Sequence, residues 1–139
     1  MAKQTALYLT KGIANAAVTL TSSDTTAWKT VYTASADDAM VKMLSAASDD
    51  TAAVNLRIGI DIGGTVFQIG TVNIPIATGT NGTANAVNLM NRTALPFLPI
   101  DGVGNPYIPL KAGSILKVAA LATMTAAKTL TVTSSSEEY

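Results

Sequence analysis

Acidic side chains are the first candidates for chemistry in this 139-residue chain. The pairs Asp37-Asp38 and Asp49-Asp50 could serve acid–base catalysis or bind calcium. Neither pair belongs to an EF-hand pattern, and adjacent side chains on a strand point to opposite faces. Asp101 and Asn105 together offer too few oxygen ligands for a cation. We therefore interpret the two Asp pairs as solvated turn residues, and Asp101 and Asn105 as residues of a turn.

A glycine-rich segment, GIDIGGT at residues 59–65, is the next candidate. It resembles the phosphate-binding hairpin of the sugar kinases in the actin-like ATPase superfamily. That family needs two α/β lobes, a catalytic aspartate and an adenosine-binding glycine cluster, and no such motif follows residue 65. A chain of 139 residues is also too short for both lobes. We interpret Gly63-Gly64 as a tight β-turn.

The composition of the chain excludes several classes of function and argues against others. Because the chain has no His and no Cys, the usual zinc sites, Cys or His nucleophiles and disulfides are excluded. The formal net charge is zero and the nine Lys and Arg residues are scattered, which argues against nucleic-acid binding. No apolar run approaches the roughly 20 residues that span a bilayer, and the first residues lack the apolar region of a signal peptide. We expect no cofactor, no metal site and no membrane contact, in a protein made in a cytoplasm.

The elements that position these residues are predicted to be β-strands. Apolar residues make up 48% of the chain and charged residues only 13%, and Thr and Ala are abundant, which favours strands over a helical bundle. The clearest unit is residues 56–76, LRIGIDIGGTVFQIGTVNIPI, where apolar and polar residues alternate on both sides of Gly63-Gly64. This pattern predicts a hairpin with a type I′ turn.

The register of this hairpin follows from the turn. Ile62 is predicted to face Thr65, Ile60 to face Phe67, and Ile58 to face Ile69. The apolar parity changes after Ile69, so an extra residue at or near Gly70 is needed to bring Val72 opposite Leu56. The alternation sends the apolar residues of both strands into one core.

Further strands are predicted at 3–10, 16–21, 25–34, 107–110, 115–124 and 129–133. Trp28 is interpreted as a core or rim anchor, with ligand stacking as the alternative. Residues 39–47, AMVKMLSAA, fit a helix by composition, but polar turns on both sides favour a strand, which could pair with the Leu56 strand. Four of the five prolines fall in residues 94–109, which predicts an extended crossing segment.

Eight or nine short strands with long loops near residues 77–106 are typical of an antiparallel β-sandwich or jelly roll. The pattern therefore predicts one all-β domain, residues 1–139, that forms an antiparallel β-sandwich of the jelly-roll type with about eight strands. Residues 1–12 could form an N-terminal arm. The sequence SSSEEY, residues 134–139, predicts a flexible tail.

The order of motifs adds a resemblance. The hairpin NLRIGIDIGGT at 55–65, TVNIPIATGTNGT at 71–83, the Pro- and Gly-rich segment at 98–120 and the ending at 125–132 resemble jelly-roll cement, or decoration, proteins of tailed bacteriophages. The resemblance implies a non-enzymatic role on the capsid exterior, with the major capsid protein as partner. It also implies self-association as a homodimer or homotrimer, and synthesis in the host bacterial cytoplasm.

The sequence also bears on two other classes of function, a binding module and an enzyme. A carbohydrate- or receptor-binding jelly-roll module of a phage head or tail fibre is the alternative, but sugar sites use exposed aromatic rings and only 5% of residues are aromatic. An enzyme would need a Ser/Lys dyad or a carboxylate pair, and no spacing identifies one. The sequence therefore predicts no catalytic, cofactor-binding or metal-binding residue.

Overall fold

Two antiparallel β-sheets form a sandwich in the computed structural model, which describes residues 11–139. In this range the only helical element is a 3₁₀ turn, Ser22–Asp24, so the all-β prediction is confirmed. No helix between residues 11 and 139 is long and apolar enough to cross a membrane. The strands are β1 (Gly12–Thr21), β2 (Lys29–Thr33), β3 (Ala39–Ser48), β4 (Val54–Ile62), β5 (Thr65–Ile74), β6 (Val87–Asn88), β7 (Ile108–Leu110), β8 (Ile115–Ala120) and β9 (Thr129–Glu138).

The first sheet has the order β1-β9-β3-β6, with β7 also paired to β3, and the second has the order β2-β8-β4-β5. Alternate residues of the long inner strands point between the sheets, as the period of a strand requires. The core between the sheets contains these largest fully buried side chains: Leu20, Val41, Leu44, Leu56, Ile58, Ile74, Leu89, Leu95, Ile108, Leu116, Val118 and Leu130.

The β4–β5 hairpin confirms the predicted turn. Gly63 and Gly64 have φ angles of +63° and +93°, the left-handed region that a type I′ turn requires at both central positions. Ile62 pairs with Thr65 directly across the turn. Because both glycines sit where side chains are strained, the sequence Gly-Gly fixes the hairpin at this point.

The predicted bulge is also present. Leu56 pairs with Val72, as expected, and the register shifts between Ile58 and Gly59. The prediction that Ile58 faces Ile69 was wrong by one residue, since Ile58 lies opposite Gly70 and Ile69 is the extra residue. The side chain of Leu95 packs directly against Gly70, so a side chain at that position would collide with it.

Residues 39–47 form a strand, as predicted, within β3. Its pairing was predicted wrongly, because β3 pairs with β9, β6 and β7 and not with β4. The segment between β3 and β4 instead carries the chain from one sheet to the other. Asp50 is buried at this crossing, where it accepts hydrogen bonds from the N–H groups of Ala52 (2.9 Å) and Thr125 (3.1 Å).

The predicted flexible tail at residues 134–139 was wrong. β9 continues to Glu138 between β1 and β3, and Ser134 and Ser136 are fully buried. At the other end, the predicted strand 3–10 and most of the arm 1–12 lie outside the described residues. Gly12, the last residue of the predicted arm, begins β1, four residues before the predicted start at Ala16.

Candidate functional site

An apolar surface lies at the turn end of the β4–β5 hairpin. Ile60 and Phe67 are a cross-strand pair, and Ile62 lies two residues further along the same face of β4. This face points into the core at Leu56 and Ile58, but at the turn end Ile62 and Phe67 remain 56% and 54% exposed. The second sheet therefore extends beyond the part of the sandwich that the first sheet covers.

The proline-rich loop completes this surface. Leu95 and Leu98 are buried and hold the loop, with the Leu95 N–H donating to the Asn91 carbonyl (2.7 Å) and the Leu98 N–H donating to the Leu95 carbonyl (3.3 Å). Phe97 lies between these anchors with 90% of its surface exposed. Burial of its neighbours therefore presents the ring of Phe97 to solvent.

A groove of about 180 Å³ connects the hairpin to the loop. We call this surface the apolar end and define it as Ile60, Ile62, Phe67, Ile69, Phe97 and Leu98. The groove has no ionisable side chain, and it is lined by Ile60, Ile69, Leu95, Phe97, Leu98, Pro99, Ile108 and Pro109. Such a surface can bind a complementary apolar surface but offers no group for proton transfer or nucleophilic attack.

None of the acidic pairs lines this groove, and all four residues lie between strands. The prediction that they are solvated was wrong for Asp50, which is buried. Asp37 accepts a hydrogen bond from Lys11 Nζ (2.8 Å), and Asp38 Oδ1 accepts one from the Ala112 N–H (2.8 Å). Asp49 Oδ1 accepts one from the Thr129 N–H (2.7 Å). Each of these carboxylates thus links its own segment to a distant part of the chain.

Asp50 is the most buried of these carboxylates. Burial by itself would raise its pKa, but hydrogen bonds from Thr125, Ala52 and Thr51 favour the charged form and together lower the pKa below its usual value. A buried carboxylate held in its charged form by backbone donors stabilises the crossing between the sheets. It is not available as a general acid.

Asp101 is likewise fully used within its turn. Its Oδ1 accepts hydrogen bonds from the N–H groups of Val103 (3.0 Å) and Asn105 (2.9 Å), and its Oδ2 pairs with Lys42 Nζ (3.0 Å). The Asn105 hydrogen bond and the Lys42 ammonium lower the pKa of Asp101. The interpretation of Asp101 and Asn105 as turn residues is therefore confirmed.

Lys42 separates two wider grooves, of about 360 and 510 Å³, on the outer side of β3. Its hydrogen bond to Asp101 raises its pKa, and its ammonium lies 5.2 Å from the centre of the Tyr107 ring. An ammonium stabilised in this way stays charged near neutral pH and cannot act as a nucleophile.

The glycine turn shows no cradle for phosphate. The Gly64 N–H donates to Asp61 Oδ1 (2.9 Å), and Asp61 Oδ2 pairs with Lys117 Nζ (3.1 Å). One turn amide is therefore occupied by a carboxylate, which is itself paired with Lys117. The interpretation of Gly63-Gly64 as a turn is confirmed.

Trp28 lies on the outer face of the second sheet, in the rim role that the sequence allowed. Its ring packs over Gly59, where an added Cβ would lie 3.0 Å from Trp28 and 2.8 Å from Val66. The guanidinium of Arg57 lies 4.6 Å from the ring centre. Gly59 thus makes room for the ring, and Arg57 covers part of it.

Sequence reasoning missed Phe97 as a site residue. Its signal is an aromatic residue between Pro96 and Pro99 in a segment without charge. Between residues 11 and 139 no cluster of His, Cys, Asp or Glu is arranged to hold a metal ion.

Compared with models of protein families, with curated proteins and with solved structures, the chain has no match.

Proposed function

We propose that this protein is a non-enzymatic structural protein of a tailed-bacteriophage virion. It acts as a capsid cement, or decoration, protein that binds the major capsid protein on the capsid exterior after synthesis in the host bacterial cytoplasm. The observation that carries the proposal is the apolar end, where Phe97 is 90% exposed beside a groove without ionisable side chains. The resemblance of the sequence to cement proteins supplies the partner.

A jelly-roll arrangement is part of the proposal. The strand order supports it, because the chain changes sheets at most connections between the described strands and stays within one sheet only from β4 to β5 and from β6 to β7. Repeated changes of sheet are expected when a long antiparallel ribbon is wrapped around a core. In this arrangement the β4–β5 hairpin and the crossing loop before β7 come together at one end.

The apolar end supplies adhesion through burial. Apolar surface removed from water contributes about 25 cal/mol per Å², so even a modest contact at Phe97, Phe67 and Ile62 contributes a few kcal/mol per copy. Many copies on one shell would add these contributions without any chemical step. The near absence of charge at this surface also lowers the cost of removing it from water.

A carbohydrate-binding module is less well supported. Trp28 is the largest ring, but Arg57 covers one side of it and Gly59 lies beneath it. Phe97 is open, but its groove provides no polar side chain to orient sugar hydroxyls. Binding to a panel of glycans would favour this alternative.

The test is to assemble phage particles with and without the protein. Mass spectrometry of purified particles should detect it in the virion, and protease treatment of intact particles should remove it because it lies outside. Particles without it should lose their DNA at a lower temperature. Unchanged heat stability, or absence of the protein from particles, would refute the proposal.

A further inference from the structure

β1 is an edge strand that lacks the usual protection against pairing. Its ten residues, GIANAAVTLT, contain no charge and no proline, and its ladder with β9 runs from Gly12 to Thr21 without a register shift. Exposed edge strands of natural proteins usually carry charges, prolines or bulges, which prevent another strand from adding to the sheet. The absence of these features marks β1 as a strand that is covered in the working protein.

The backbone direction shows which groups are open. The Thr19 carbonyl accepts a hydrogen bond from Lys29 Nζ of β2 (2.7 Å) and so points away from β9. Backbone groups of alternate residues point to the same edge, so those of Ile13, Asn15 and Ala17 point the same way as Thr19. Among residues 11–139, these three residues make no hydrogen bond beyond those of the strand ladder.

The other ten-residue edge strand, β5, is protected. It also has ten residues without charge, but the extra residue Ile69 interrupts its ladder. Leu95 and the Ala94 carbonyl pack against Gly70 near the middle of the strand. The bulge interrupts the row of backbone groups with which a regular strand would pair, so the two edges are not equivalent.

We propose that β1 pairs with β1 of a second copy, antiparallel across a two-fold axis at Asn15. Lys29 occupies the Thr19 carbonyl, so the open stretch is residues 12–18, and its centre is Asn15. In this register Asn15 faces Asn15 of the partner subunit, and Ile13 faces Ala17 of the partner subunit. The two first sheets then become one continuous sheet.

A second copy fits this edge better than another partner for two reasons. A two-fold contact brings the same strand of both copies together, and β1 has no charge that would repel its copy. The inward-facing residues Ala14, Ala16 and Val18 pack on the core but are only partly buried. Their small side chains allow close approach, and the second strand would complete their burial.

The exposed side chains of β1 fit the same register. Ile13 is 73% exposed on the outer face and would pack beside the small side chain of Ala17 of the partner subunit. The two Asn15 side chains would lie directly opposite one another and can hydrogen bond. The inference is independent of capsid binding, because purified protein alone tests it.

The test is sedimentation of the purified chain over micromolar to near-millimolar concentrations. The parent should form a dimer of twice 14.2 kDa. Asn15→Lys and Asn15→Asp place like charges opposite each other and should each raise the dimer dissociation constant by about tenfold or more. An equal mixture of the two variants should recover the dimer, because opposite charges then meet at the axis.

Thr133→Lys is the matched control, since Thr133 neighbours Ala17 on β9 but does not lie at the edge. It should leave the dimer unchanged. Because the chain has no cysteine, Asn15→Cys gives a second measurement and should form a disulfide-linked dimer on oxidation, whereas Thr133→Cys should not. A monomeric parent would overturn the proposal, including one in which its own residues 1–10 cover β1. A dimer unaffected by both charged variants would also overturn it.

Discussion

Replacing Phe97 with alanine separates binding from folding. Because 90% of Phe97 is exposed, Phe97→Ala removes few contacts within the protein. We expect the free energy of unfolding to change by no more than about 0.5 kcal/mol, as for most exposed positions. If the apolar end is the capsid-binding surface, the same change should weaken binding strongly.

The size of the binding effect follows from the exposed area. An aromatic side chain buries roughly 150–250 Å² in an interface. At about 25 cal/mol per Å², complete burial of Phe97 would contribute about 4–6 kcal/mol at most. Part of this is offset by ordering the loop and by the methyl group that alanine keeps. We expect a loss of about 2–3 kcal/mol per site, which is a roughly 30- to 150-fold increase in Kd.

The assay is binding of purified protein to particles that were assembled without it. Leu121→Ala is the control, since Leu121 is an exposed apolar residue (53%) that follows β8 at the end of the second sheet opposite the hairpin turn. It should bind like the parent. Equal binding by Phe97→Ala and the parent, with both folded, would refute the assignment of the apolar end as the binding surface.

Other predictions concern stability. Gly64→Val should lower the free energy of unfolding by about 1–2 kcal/mol because φ at Gly64 is +93°. Gly102→Val is the control, since φ at Gly102 is not positive and an added Cβ meets no atom within 4 Å. Thermal unfolding should show a smaller loss of stability for Gly102→Val. Burial and a hydrogen bond to Glu138 raise the pKa of Tyr32 to about 12 from about 10. The stability from its neutral hydroxyl is therefore complete below pH 10 and is lost as the pH rises towards 12, and Tyr32→Phe should remove about 2–3 kcal/mol of this pH dependence in urea unfolding. Ser136→Ala should stabilise by about 1 kcal/mol, since its buried hydroxyl has no hydrogen-bond partner among residues 11–139, and an unchanged midpoint in denaturant would contradict this.

The hairpin was predictable because its determinants are local. Two adjacent glycines fix the turn, and the change of parity between Ile69 and Val72 requires an extra residue at or near Gly70, which in the structure is Ile69. The same local rules identified β3 as a strand. They did not identify its partner, since pairing with β9 joins residues about 90 positions apart and leaves no mark in a short window of sequence.

The end of β9 shows a different limit. SSSEE lacks the apolar alternation that marks a buried strand, so residues 134–138 were predicted as a tail. In the structure Ser134 and Ser136 face inward opposite Ala16 and Ala14. All four of these side chains are small, so the two strands fill little volume at this end of the sandwich. Pairing on both sides, rather than apolar burial, holds this part of the chain.

The apolar end was missed for a reason that applies to any two-layer fold. Alternation along β4 shows that Ile58, Ile60 and Ile62 share a face, but it does not show how far the opposite sheet reaches. The structure covers Ile58 completely and leaves Ile62 56% exposed, although the sequence pattern around both is the same. An apolar face that continues past its cover becomes an exposed apolar surface without any change in the sequence pattern. The position of the surface is therefore set by the relative lengths of the two sheets, which only the assembled fold determines.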